Sequence, residues 1–156
     1  MTNPADHTTV SPQVAAGQSP LGGQLFYLLD QVTHELHTAM HTVLATENLN
    51  IRQYATLALV AGKHTVTQHN LSKVLDLDPS QVVSLVKGLV DRNLLTRQTL
   101  ETDRRAKVLN ITEDGARLYT RVETQIRQVE EAVTASLSPR DRKILAALLE
   151  RVLPLT

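Results

Sequence analysis

The segment Asp78–Gly115, DPSQVVSLVKGLVDRNLLTRQTLETDRRAKVLNITEDG, decides how the rest of the chain is read. Its first half carries the marks of a helix start. Asp78 is an N-cap residue, Pro79 suits the first helical position, and Gln81 stands where a capping box places its second member. Val82, Leu85, Val86, Leu89 and Val90 then recur at helical spacing and form one apolar stripe. Ser80, Gln81, Val83, Ser84, Lys87 and Gly88 occupy the other face. Asn93 tolerates the left-handed conformation that ends a helix. Two β-like runs come next, Leu94 to Gln98 and Ala106 to Ile111, separated by a polar tip that contains Asp103-Arg104-Arg105.

Working outward, the residues before this segment read as helices. Residues 1–20 are rich in Thr, Ser, Pro, Ala, Gln and Gly without periodicity and are expected to form a flexible tail. From about Gln24 to Thr46 an apolar pattern (Leu25, Leu28, Leu29, Val32, Leu36, Met40, Val43, Leu44) is too long and too apolar for the surface helix of a small monomer. Asn50, with Gln53 three residues on, opens a second helix that Gly62 ends. Lys63 to Val66 suits a short strand against the hairpin. Thr67 caps a third helix, expected to end near Asp76-Leu77. After the hairpin, Thr112 caps a long helix with Glu113 and Asp114 in its first turn, extending to about Leu137. Ser138-Pro139 starts a last helix that stops before Pro154.

Two short helices joined by a tight turn, the second leading into a basic hairpin, make a winged helix-turn-helix. The fold class is mainly α with a small β-wing. The chain divides into a tail (1–20) and a single domain (21–156). Within that domain, 50–112 form a DNA-binding lobe, with the helix-turn-helix at 67–92 and the wing at 94–111. The long helices of 21–48 and 113–156 have little to bury against within one chain, so they are assigned to a symmetric dimer.

Composition narrows the chemistry. The 156 residues carry no cysteine, which excludes disulfides, thiolate metal sites and a thiol redox switch. Four aromatic residues, Phe26, Tyr27, Tyr54 and Tyr119, are too few for the stacking platforms of single-stranded nucleic-acid binders. No apolar run reaches membrane-spanning length and no secretory leader is evident, so a cytoplasmic protein with no membrane partner is expected. No nucleophile elbow, phosphate-cradling glycine loop or metal-plus-carboxylate set is present, and no enzyme or cofactor is expected. The net charge is zero, yet Arg92, Arg97, Arg104, Arg105 and Lys107 outnumber Glu101 and Asp103 in residues 92–107, whereas residues 1–60 hold one basic residue, Arg52.

The wing and the helix start directly after it resemble the MarR family, the multiple-antibiotic-resistance regulators. Asp103-Arg104-Arg105-Ala106-Lys107, then Leu109, Ile111, Thr112 and Gly115, match the family's D-x-R-[AS]-K, strand, T-x-x-G pattern. Gln53, Leu71 with Leu75, and Asp78-Pro79-Ser80 support it, over roughly residues 24–153. Asn93 departs from the family's frequent Gly, and both residues tolerate the left-handed region. The resemblance implies a homodimeric regulator of double-stranded DNA, usually a repressor, on a pseudo-palindromic operator. It also implies release by a small effector held between the dimerisation helices and the DNA-binding lobe. By the resemblance, Arg105 is the minor-groove arginine and Asp103 its partner in the wing, which agrees with the preference of arginine for a narrow, negative groove. Arg104, Lys107 and Arg97, with Lys63, are candidate phosphate contacts. On the helix, Gln81 suits adenine, Lys87 guanine or phosphate, and Val83 a thymine methyl, with Ser80 and Ser84 beside them.

His34, His37 and His41 share one face of the first long helix. They admit a metal site, a pH- or ligand-sensing patch, or polar residues lining an interface. No fourth ligand is evident, and no metal is assigned. The resemblance puts an effector cavity beside this helix, which makes the three histidines, with Tyr54 and Tyr119, a candidate pocket for an aromatic or lipophilic effector. For the tyrosines the competing reading is a core position with the hydroxyl at its edge. The alternative function is a constitutive or architectural DNA-binding protein without effector.

Overall fold

The computed structural model describes residues 19–62, 64–99 and 107–153. A 3-10 turn, Pro20–Gly23, leads into α1 (Leu25–Thr46). Then come α2 (Ile51–Ala61), β1 (Val66–Thr67), α3 (Gln68–Val74), α4 (Pro79–Asp91), β2 (Leu95–Thr99), β3 (Lys107–Ile111), α5 (Glu113–Val133) and α6 (Pro139–Val152). The strands form one antiparallel sheet in the order β1-β3-β2, with Val66 opposite Leu109 and Leu95 opposite Ile111. The expected third strand therefore exists, at Val66–Thr67, whereas Lys63 lies outside the described residues.

The helix starts lie where the cap residues stand. Gln53 and Asn70 close capping boxes with Asn50 and Thr67. The hydroxyls of Thr112 and Ser138 accept the Gly115 and Asp141 backbone N–H groups. At α4 the Asp78 N–H donates to Gln81 Oε1 at 3.0 Å. Each side chain replaces a bond that the first turn of a helix lacks.

The helix ends obey a rule less visible in the sequence. Asn48, Asp76 and Asn93 all adopt positive φ, between 48° and 55°. After each comes a leucine whose N–H turns back to the carbonyl five residues earlier: Leu49 to Leu44, Leu77 to Ser72, Leu94 to Leu89. All three leucines are buried. This is the Schellman arrangement, with the next leucine as its hydrophobic anchor. α5 stops at Val133 rather than near Leu137. There the Thr134 hydroxyl donates to the Glu130 carbonyl and the Leu137 N–H to Thr134, bending the chain into the Ser138 cap.

The core is that of the lobe plus the helices that carry it. Leu44 of α1, Leu57 of α2, Leu71 of α3, Val86 and Leu89 of α4, and Val122 of α5 are fully buried together. Each such side chain contributes roughly 1.5–3 kcal/mol by leaving water. On α4, Val82 is buried with Val86 and Leu89, as the apolar stripe requires. Gly88 departs from the expected outer face: it is half-buried, and a β-carbon there would lie 4.0 Å from Gln53 Nε2 of α2.

One joint ties α4, the wing and α5 together. The Thr112 hydroxyl donates to the Asn93 carbonyl at 2.6 Å while accepting from Gly115 N–H at 3.0 Å. Thr112 N–H donates to the Leu94 carbonyl, and Asn93 Nδ2 donates to Asp114 Oδ2 at 2.9 Å. Gly115 is buried hard against this turn. A β-carbon there would run into the Leu94 carbonyl oxygen and lie 3.0 Å from Ile111 Cγ1. The Arg117 guanidinium, and after it the Asn93 amide, holds the Asp114 carboxyl below its ordinary range.

Between α2 and α5 the rings of Tyr54 and Tyr119 stack with centroids 6.0 Å apart. Burial first, then Tyr119 and the carboxylates of Glu123 and Glu130, push the Tyr54 phenol up to about 12, against a lowering by Arg127. Tyr119 is raised as well, by burial and then by Glu123.

Both the joint and the tyrosine pair can be probed. Gly115→Ala forces backbone apart at a packed joint and should cost about 3 kcal/mol or more, read as a lowered denaturation midpoint with unchanged slope. In alkali the unfolded chain ionises Tyr54 near its ordinary value of 10.0, whereas the folded chain keeps it protonated to about 12. Stability is therefore retained below pH 10 and falls as pH rises from 10 to 12, with a late step in tyrosinate absorbance.

Candidate nucleic-acid interface

The outer face of α4 is built by its inner one. Burial of Val82, Val86 and Leu89 turns Ser80, Gln81, Val83, Ser84 and Lys87 outward, and all five are exposed. Val83 is half exposed, an apolar group among polar ones. Two of these side chains already have partners. Gln81 Oε1 accepts the Asp78 N–H, which leaves its amide NH2 as the group free to donate. Lys87 Nζ meets Asp91 Oδ2 at 2.6 Å one helical turn on, with both side chains more than half exposed. In water such a pair contributes little and separates readily.

Two cavities flank this face. One of about 340 Å³ opens between the start of α2 and α4, lined by Asn50, Arg52, Gln53, Gln81 and Ser84, with Leu77 and Leu85 as its floor. The other, about 260 Å³, lies between α3 and α4 beside His69, Ser72, Pro79 and Val83. The Gln68 side chain also lines it, and its buried Nε2 lacks a hydrogen-bond partner. Both place polar groups along one continuous surface that includes the start of α4.

The wing carries the cationic part. Arg97 on β2 and Lys107 on β3 are exposed, and Lys107 Nζ donates to Thr99 Oγ1 at 3.3 Å across the hairpin. Of β2 only Leu95 is buried, so this edge is open. Asp103, Arg104 and Arg105 lie outside the described residues.

The candidate effector residues divide into two groups. His34, His37 and His41 are exposed along α1. Tyr54 and Tyr119 form the half-buried stack between α2 and α5. Among the described residues no three His, Cys, Asp or Glu side chains are grouped as metal ligands. A groove of about 600 Å³ runs where α5 meets α6, lined by charged groups such as Arg127, Glu130 and Lys143. No helix of the described residues is long and apolar enough to cross a membrane.

Sequence reasoning missed the contacts that hold α4 from behind. Arg92, at the end of α4, donates to the carbonyls of Asn48 (2.7 Å) and Glu47 (3.0 Å) at the end of α1. Arg121 of α5 grips the Glu47 carboxylate with two nitrogens, at 2.7 and 3.0 Å. This pairing holds the Glu47 carboxyl below its ordinary range. The one local signal was the recurring Asx-Leu dipeptide, which marks where α1 and α4 end.

Comparison with known proteins agrees with this geometry. The family model described as MarR family matches residues 47–106, which span α2 to the wing. A transcriptional regulatory protein assigned to the hcr operon of Thauera aromatica is 31% identical over 111 residues, covering 71% of this chain and 67% of that protein. A MarR-family transcriptional regulator from Rhodococcus sp. RHA1 superposes with a TM-score of 0.80 at 26% identity, over 89% of this chain and 98% of that one. CouR from Rhodococcus jostii RHA1, solved with p-coumaroyl-CoA bound, superposes with a TM-score of 0.77 at 25% identity, over 89% and 98%. The chain belongs to the MarR family of winged-helix, DNA-binding transcriptional regulators.

Proposed function

We propose that this regulator is a homodimeric repressor that binds a pseudo-palindromic operator in the cytoplasm and is released by an aromatic or lipophilic small molecule. The observation that carries the dimer is the distribution of exposed apolar side chains. Leu25, Phe26, Leu28, Leu29 and Val32 of α1, and Ile144, Leu145, Leu148, Leu149 and Val152 of α6, face water in the single chain. Phe26 is 64% exposed and Val152 75%. Apolar surface on this scale marks an interface, and the two-fold pairing of identical chains is its commonest use.

With two copies so joined, two α4 helices enter successive major grooves. Ser80, Gln81, Val83, Ser84 and Lys87 meet base edges there, and Arg97, Arg104 and Lys107 meet phosphates. Arg105 enters the minor groove with Asp103 fixing its approach. The effector reading rests on the stacked Tyr54–Tyr119 pair, the histidines of α1, and the aromatic acyl ligand carried by CouR, a structural neighbour. An aromatic ring suits the apolar side of such a pair.

Selection of bound genomic fragments, repeated with aromatic acids and their thioesters, tests the whole reading. One class of compound should release the selected DNA, and DNA binding indifferent to all of them would leave a constitutive binder. Arg105→Ala should weaken operator binding by about 1–3 kcal/mol at fixed salt. Lys107→Ala should instead lower affinity for all sequences and reduce the salt slope by about one. Sedimentation should give a dimer at micromolar concentration, and Leu148→Asp combined with Leu149→Asp should give monomers.

A further inference from the structure

We infer that the Arg92–Glu47–Arg121 relay is a positioning device that sets the rotation of the reading lobe against the dimerisation helices, and thereby the half-site spacing the protein accepts. The inference rests on the dimeric reading proposed above.

The relay is singular in its reach. Among the described residues, every side-chain hydrogen bond linking positions more than forty residues apart belongs to it. Arg92 spans two main-chain carbonyls just past the last turn of α1, where the helix dipole and unpaired carbonyls attract a cation. The Glu47 carboxylate, between them, takes Arg121 in a two-point grip of fixed geometry. Arg92 belongs to the end of the recognition helix. Arg121 lies two turns into α5, and Glu47 ends α1. Three elements with different duties thus meet at one pair of residues.

The neighbouring residue makes the second half of the argument. Asn93 is tied to α5 through Asp114 and Thr112. Two adjacent residues at the end of α4 are therefore held from different sides, Arg92 by α1 and Asn93 by α5. The buried stripe of Val82, Val86 and Leu89 seats α4 on the core, and the two tethers at its end restrict the small rotations that apolar packing alone permits. Removing the relay leaves the Asn93 joint and the buried core in place, so the lobe stays folded but gains rotational freedom.

Arg92, Glu47 and Arg121 touch neither the outer face of α4 nor the described part of the wing, so their effect on DNA is indirect. Its signature is tolerance to spacing. One inserted base pair rotates the second half-site by about a tenth of a turn. A rigid dimer loses contacts on such DNA, and a loosened one keeps them.

The test uses the full-length protein and duplexes built from its selected DNA: two half-sites at native spacing, the same with one base pair inserted or removed, and a single half-site. Wild type should prefer the native spacing. Arg92→Ala and Glu47→Gln should bind the single half-site as wild type does and lose about three- to tenfold of the spacing preference. Arg92→Lys, which keeps a donor for one carbonyl, should fall between. Thermal unfolding and sedimentation report whether each variant is a folded dimer, and Arg121→Met breaks the α5 half of the relay if Arg92→Ala does not fold. Folded variants that keep the full spacing preference overturn the inference. So does an equal loss on every duplex, which would mean general weakening of the lobe. A wild-type protein indifferent to spacing would instead sink the dimeric reading on which the inference stands.

Discussion

The hydroxyl of Thr112 sits where α4 ends, the wing begins and α5 starts. It gives its proton to the Asn93 carbonyl and takes the Gly115 N–H in return. For this exchange the backbone at Gly115 must touch the backbone at Leu94, and only a residue without a side chain allows that approach. The contact has wide effects. Leu94 and Leu95 are drawn into the core, β2 starts in register with β3, and α5 leaves the lobe in a set direction. The threonine and the glycine three residues on form one device for joining a reading head to a shaft.

The shaft and the head are stabilised differently. The lobe is closed around Leu57, Leu71, Val86 and Leu89, with few large apolar groups left outside apart from Val74 and Val83. α6 has no buried residue at all, and α1 has one, Leu44 near its end. α1 is joined to the rest of the chain near its end, through Leu44 and the Glu47–Arg121 pair, and its first turns are exposed. The lobe thus closes over a core to which α1 and α5 contribute Leu44, Leu118, Val122 and Ile126, while the far ends of the chain leave their apolar side chains in water.

Much of this was legible in the sequence because its signals are local. Asn50, Thr67, Asp78, Thr112 and Ser138 each announce a helix within four residues, and each does begin one. The stripe on α4 names its buried face by spacing alone. Other features were not legible because their partners are far away. Nothing near Arg92 shows that its acceptors are carbonyls 44 and 45 positions earlier. Gln81 was visible both as a cap and as a base reader, and the fold engages its carbonyl oxygen as a cap, leaving the amide for any second task. The ends of helices were less evenly marked than their starts: the turn at Asp76-Leu77 was legible, whereas Asn48 does in silence what a glycine would have announced.

Lys87 is the single cation of α4, and it stands against Asp91. A chromosome offers a regulator vastly more wrong sequence than right, and loose cations hold it there. An exposed pair such as Lys87–Asp91 opens at little cost, so Lys87 is steadied without being withdrawn from the outer face. The group that takes it back is the last side chain of the same helix. The resting place of the one charge on this face is thereby set by α4 itself and not by a neighbouring element.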